Sequence, residues 1–321
     1  MFVGPPGSRK TTTLNYSIEL FEGIPDLVAG PNVCSQAALS DELSKSHDTS
    51  LYIISEDFHD LLMKSGGEMY EFLTSAFDGR KKFHTVTISR KTEYMEKPCI
   101  NFAAGSTPVW ISENMPVSAI GGGFAARVIF IYEETLRRKK LDYSDVDMAK
   151  MDLLKADLQA DLRHISTEVA GEFLVSAEVR RYAELQYLKI ESEKHHPKVQ
   201  GYYTRKHVHF LKLAMLLNIS YSDKLILTTD DIDNALKILE VTVEQNLTRV
   251  FEGVGKNIYT FDMRDIVNYI KEKQRVSRKE VLSAFRSVAT PAMVNELILG
   301  LLATGDLKQE VVEGEVYYLI V

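Results

Sequence analysis

The chain has 321 residues, 45% of them apolar, enough to bury a full core and to divide into two or three units at about 100–200 residues each. Its net charge of −7 excludes a surface coated in basic residues, so nucleic-acid contact has to come from local patches. Two cysteines, Cys34 and Cys99, exclude a disulfide framework and point to a reducing, cytoplasmic compartment, and no apolar run approaches the roughly 20 residues that span a membrane.

The first residues, M-F-V-G-P-P-G-S-R-K-T-T, read as a short apolar strand, a Gly/Pro turn and a helix start. Met1, Phe2 and Val3 fall short of the 5 or 6 residues that are roughly typical of a strand, so the first strand reads as truncated and the chain as a fragment or trimmed domain. Gly4 to Thr11 fit the phosphate-loop pattern G-x-x-x-x-G-K-[ST] except at Arg9, which replaces the second glycine. Such a loop aims successive backbone N–H groups and the positive end of a helix at one point, which suits a triphosphate. The expected ATP cradle is Gly4, Pro5, Pro6, Gly7, Ser8, Arg9, Lys10, Thr11 and Thr12, with Lys10 on the β- and γ-phosphates and the Thr11 hydroxyl on Mg²⁺. The bland alternative is a turn that carries Lys-Thr. If position 9 needs positive φ, its side chain costs about 1–2 kcal/mol. Leu14, Ile18 and Phe21 are expected on one apolar face of the helix.

Leu51 to Ile54 read as a buried strand that ends in Glu56 and Asp57. After a phosphate loop, one such acid (Glu56) holds Mg²⁺ and the other (Asp57) orients a water; the alternative is a solvated strand end. Gly79 to Pro98 is basic and alternating, a hairpin that turns near Ser89. Lys81, Lys82, Arg90 and Lys91 either track a phosphate backbone or keep a solvated edge from pairing, and both readings stay open. Cys99 to Ala104 form another strand, after which Thr107 is placed to meet a γ-phosphate or the attacking water. Arg127 follows a glycine run and precedes the strand Val128 to Tyr132. It suits a finger offered to a neighbouring subunit, a group that contributes about 10³–10⁵ in rate. Its alternative is a surface salt bridge to Glu133 or Glu134.

Tyr143 to Ile165 predict a helix with Met151, Leu154, Leu158, Leu162 and Ile165 inward, and Ser176 to Glu193 a second. After the break at His195-His196-Pro197 and Gly201, Thr204 is expected to cap a helix that carries Arg205, and Thr228 to Asp231 open another. The last segment predicts three helices, the second opened by the capping box Ser277 to Glu280, and a terminal hairpin across Glu313-Gly314. That set is a winged helix, although Thr290 to Thr304, the third helix, contains no lysine or arginine.

In this order the parts resemble the AAA+ core of MCM-type replicative helicases, and more closely the phage and plasmid helicase-like ATPases found beside primases. The resemblance implies an α/β fold: a P-loop AAA+ core with a parallel sheet over residues 1–135, a helical lid over 136–255 and a winged helix over 256–321. It makes Lys10 and Thr11 the Walker A pair, Glu56 and Asp57 the Walker B acids, Thr107 sensor one, Arg127 the arginine finger and Arg205 sensor two. Thr107 stands where asparagine is usual, and Glu56-Asp57 invert the usual Asp-Glu order, which puts a side chain one methylene shorter on the water. The implied function is a ring-forming, hexameric ATP- and Mg²⁺-dependent DNA helicase or translocase in phage or mobile-element replication. Single-stranded DNA would occupy the channel and a primase or other replication protein would be a partner. The alternative is a nucleotide-gated DNA-binding switch or helicase loader with low turnover.

Overall fold

Phe2–Val3 (β1) is two residues long, yet it is flanked on both sides. It pairs in parallel with Gly105 and Ser106 on one side and with Ile131 and Tyr132 on the other. The computed structural model describes residues 1–79, 83–87, 91–121, 123–134, 146–251, 254, 263–286, 290–312 and 314–320, with the backbone alone for 83–87, 91–94 and 263–264. The chain divides into two units, Met1–Val254 and Gly255–Val321.

In the first unit β1 leads through a loop into Lys10–Phe21 (α1), followed by Gln36–Lys45 (α2), Ser50–Ser55 (β2), Phe58–Leu62 (α3) and Gly67–Phe77 (α4). Phe83–Thr87 (β3), Lys91–Met95 (β4), Cys99–Ser106 (β5), Pro108–Asn114 (α5), Val117–Gly121 (α6), a 3-10 turn at Ala125–Arg127 and Ile131–Tyr132 (β6) come next. Among the described residues the sheet has four strands in the order β2-β5-β1-β6, all parallel. Parallel strands covered on both faces lose the polar alternation of an exposed sheet, and in β2 Leu51, Ile53, Ile54 and Ser55 are all buried. Because β5 lies between β1 and β2, the residues that leave these strands, Gly4, Glu56 and Thr107, emerge at one edge of the sheet. Residues 28–30 add a short edge beside Tyr52, through Tyr52 N–H to the Val28 carbonyl at 3.0 Å and Gly30 N–H to the Tyr52 carbonyl at 2.7 Å. β3 and β4 pair antiparallel as a separate hairpin from Phe83↔Met95 to Thr87↔Lys91.

The helical part consists of Met148–Glu168 (α7), Leu174–Val175 (β7), Ala177–Ser192 (α8), Gln200–Ile219 (α9), Ile226–Leu227 (β8), Thr229–Thr242 (α10) and Leu247–Val250 (α11). Two expectations are corrected here. Met151, Leu154 and Leu158 were expected inward, but all three are exposed, and only Leu162 and Ile165 are half-buried. The helix docks instead through polar groups: Lys155 Nζ to Glu19 at 2.8 Å, Gln159 Nε2 to the Glu19 carbonyl at 2.9 Å and Ser166 Oγ to the Pro25 carbonyl at 2.9 Å. The second correction is at α9, which starts at Gln200 and is not capped by Thr204, whose hydroxyl bonds back to the Gln200 carbonyl at 3.1 Å. Gly201 is not a break but a point of close packing, since a Cβ there would stand 3.3 Å from that of Ala126.

The second unit comprises Met263–Lys273 (α12), Val276–Ser277 (β9), Arg278–Ala284 (α13), Pro291–Thr304 (α14), Leu307–Val312 (β10) and Glu315–Ile320 (β11). β11 pairs antiparallel with both β10 and β9. Ile266, Ile270, Val281, Val294, Ile298, Leu301 and Tyr318 fill its core. Ser277 and Glu280 form the reciprocal cap at the start of α13.

Candidate functional site

The loop between β1 and α1 is shaped by positions that lack, or strain against, a side chain. A Cβ on Gly4 would stand 2.6 Å from the Glu133 carbonyl oxygen and 2.8 Å from Ser8 Oγ, so only glycine lets the chain pass there. Gly7 takes φ +80°, and Arg9, directly before α1, takes φ 61°, ψ 25°. Arg9 therefore sits in the left-handed region that its side chain disfavours by about 1–2 kcal/mol. It provides no side-chain cap, and the first turn of α1 has no acidic residue. The first N–H groups of a helix have no partners within it, so an uncapped start favours an anion.

Lys10 turns its ammonium back into this curl, donating to the carbonyls of Gly4 at 2.8 Å and Pro5 at 3.0 Å and to Ser8 Oγ at 3.1 Å. Burial lowers its pKa below the ordinary lysine value, and the negative charge of Asp57 opposes that shift. Asp57 is thus the acid whose charge is felt at Lys10. It also has a structural task, because its carboxylate caps α3 by accepting the His59 N–H at 3.0 Å. Glu56 and Asp57 are both exposed. The Glu56 main chain crosses directly over Gly105, where a Cβ would stand 2.4 Å from the Glu56 carbonyl oxygen. The glycine before Ser106-Thr107 is therefore what lets the acidic turn lie against β5.

Thr107 caps α5, its hydroxyl accepting the Trp110 N–H at 3.1 Å. The residue before it belongs to the same polar strand end, where the sequence favours Thr107. Ser106 pairs with Val3, its carbonyl accepts the Gly4 N–H at 3.2 Å, and its hydroxyl is buried with no partner among the described residues. Thr11 and Thr12 lie exposed in the first turn of α1, Pro6 and Gly7 are exposed in the loop, and Pro5 is half-buried. On α1, Leu14 is fully buried, whereas Ile18, expected beside it, is 39% exposed.

Arg127 is bound within its own chain, and its partner is neither Glu133 nor Glu134. Its Nε donates to Asp78 Oδ1 at 3.0 Å, Nη2 to Oδ1 at 2.8 Å and Oδ2 at 2.7 Å, and Nη1 to the Gly123 carbonyl at 2.8 Å. Only 9% of the Arg127 side chain is exposed. Arg205 reaches the same carboxylate, with Nη1 3.6 Å from Asp78 Oδ1. The two arginines that the sequence placed in separate roles are therefore neighbours, joined by an aspartate that it did not single out. α9 carries Arg205 to this place by packing on the 3-10 turn, where His209 Nε2 donates to the buried carbonyl of Ala126 at 2.9 Å.

Of the basic hairpin candidates, Lys81, Lys82 and Arg90 lie outside the described residues, and Lys91 is placed only as the first residue of β4. The described residues contain no helix long and apolar enough to cross a membrane. Comparison with protein-family models and with curated proteins returns no match.

Proposed function

We propose that this chain is a nucleotide-hydrolysing AAA+ ATPase that works as a ring, most simply a hexamer, and moves along single-stranded DNA during phage or mobile-element replication. The observation that carries the reading is the Lys10 ammonium, held inside the curl of residues 4–9 by loop oxygens and stabilised by the negative charge of Asp57. The residues present fit a phosphate chain: a backbone cradle that a Cβ at Gly4 would obstruct, an uncapped helix start and one central cation. Bound Mg-ATP would supply the phosphoryl group that is transferred to water.

Gly4 to Thr12 would grip the phosphates, with Lys10 exchanging a loop oxygen for a phosphate oxygen, and Thr11 and Glu56 would hold Mg²⁺. Asp57 would orient the water through the carboxylate oxygen that the His59 N–H does not use. Thr107, with Ser106 behind it, would stand where a strand inserted between the loop strand and the acidic strand ends. The second unit is read as a winged helix on the grounds of its helices and antiparallel sheet. Its α14 carries no lysine or arginine, and Arg278 is bound to Asn295 Oδ1 at 3.0 and 3.1 Å. The exposed Lys271, Lys273 and Lys279 would then make phosphate contacts while α14 docks a replication protein such as a primase.

The test is ATP turnover and forked-duplex unwinding by the full chain and by Lys10→Ala. The motor reading expects both activities in the first and neither in the second; full activity in Lys10→Ala rejects it. One observation favours a second reading, a nucleotide-gated switch or helicase loader: Arg127 is engaged by Asp78 rather than presented outward. ATP binding without unwinding would select that reading.

A further inference from the structure

Asp57 and Thr107 follow neighbouring strands, β2 and β5, at one edge of the sheet, and each caps the short helix that comes after it. Asp57 accepts the His59 N–H at 3.0 Å, and Thr107 accepts the Trp110 N–H at 3.1 Å. A carboxylate that receives one N–H keeps acceptor capacity for another group, and a hydroxyl that receives one keeps its own proton to donate. The two residues that supply these N–H groups also meet through their side chains. The His59 and Trp110 rings lie 5.8 Å apart between centroids, and Phe58, the residue before His59, meets the same indole edge-on at 5.9 Å. With five and seven residues, α3 and α5 are too short to hold a direction without packing. Phe58 is fully buried and anchors α3 in the core, whereas His59 is exposed and Trp110 half-buried. The His59–Trp110 contact therefore adds little to the core and joins the two capped helix starts at the surface.

We propose that His59 and Trp110 are positioning residues: their ring contact braces α3 against α5 and so sets the spacing between the acceptor at Asp57 and the donor at Thr107. That role rests on the reading under Proposed function, in which these two side chains face the phosphoryl group and the water. The rings do not act on the nucleotide. Each acts through the N–H that its residue gives to a cap, so a tilt of either helix carries the capping side chain with it. Misplacing such a group by about 1 Å costs on the order of 10²-fold in rate.

The experiment measures Mg-ATP binding by isothermal titration and hydrolysis per bound nucleotide, on full-length chains. His59→Ala and Trp110→Leu each remove one ring and leave both capping N–H groups in place. Each is expected to bind ATP within about twofold of the parent and to lose roughly 10- to 100-fold in turnover per bound nucleotide. Trp110→Phe, which keeps a ring against His59, is expected to recover most of that loss. A chain that merely folds less well binds and hydrolyses less in proportion, so its turnover per bound nucleotide does not move. Trp110 is the chain's only tryptophan, and its emission gives a second readout. Emission is expected to change when Mg-ATP binds the parent chain, and to change less in His59→Ala at equal occupancy. Unchanged turnover per bound nucleotide in either ring deletion overturns the brace while leaving ATP binding standing, and so does an emission response in His59→Ala equal to the parent's. Where the parent binds ATP without hydrolysing it, the emission comparison alone decides. Absence of ATP binding in the folded parent is a separate result: it rejects the reading under Proposed function, and the brace with it.

Discussion

His209 and Ala126 are joined by a buried hydrogen bond of 2.9 Å, imidazole N–H to backbone carbonyl, that fixes α9 beside the turn carrying Arg127. Burial pushes the His209 pKa below the ordinary 6.5, the Ala126 bond pulls the other way, and the charges of Lys212 and Arg205 lower it further. The fold therefore favours the neutral histidine. The unfolded chain takes up a proton first as pH falls through 6.5, so this residue contributes stability above that value and loses it as pH drops toward its lower native value. Urea unfolding at pH 7.5 and at pH 5.5 should show a stability loss on acidification that is smaller in His209→Gln, which keeps an N–H donor. An equal loss in both proteins would contradict the assignment.

Gly123 makes room for the Arg127 side chain. It holds φ +102°, and a Cβ there would stand 2.6 Å from Arg127 Nη1. Gly123→Ala is therefore expected to cost about 1–3 kcal/mol from backbone strain, with the displaced guanidinium adding to it. The urea midpoint should fall at unchanged slope, and an unchanged midpoint would show that the turn yields without cost.

Arg9 is strained in place. Glycine at this position removes about 1–2 kcal/mol of left-handed strain and returns about 0.4–1 kcal/mol through the more flexible unfolded chain. Arg9→Gly should accordingly be more stable than Arg9→Ala, which keeps the strain, by roughly 0.5–1 kcal/mol in urea unfolding. Equal stability of the two variants would mean that position 9 carries no strain.

Local signals carried much of the fold. The spacing from Gly4 to Thr11 located the loop and α1, and the reciprocal caps of Thr228 with Asp231 and Ser277 with Glu280 marked the starts of α10 and α13. These signals span a few residues and are set by backbone geometry, so they survive without tertiary knowledge. What failed was non-local. The apolar stripe of α7 identified a face but not its partner, and the helix docks through Lys155 and Gln159 instead. Gly201 resembled a helix break because glycine is weak in helices, while its actual constraint is the nearness of Ala126. The Arg127–Asp78 pair spans 49 residues and leaves no periodic trace. Thr107 and Asp57 stood out for their chemistry, but the sequence did not reveal that each also caps a helix. β9, only two residues long, lies below what alternation can reveal.

Isothermal titration of the folded, full-length chain with ATP in saturating magnesium tests the central assignment most directly, with Lys10→Ala alongside as the control. The account predicts a saturating heat corresponding to one nucleotide per chain, absent in Lys10→Ala at equal helical content. No heat in the folded wild-type chain, or the same isotherm from both proteins, would contradict it.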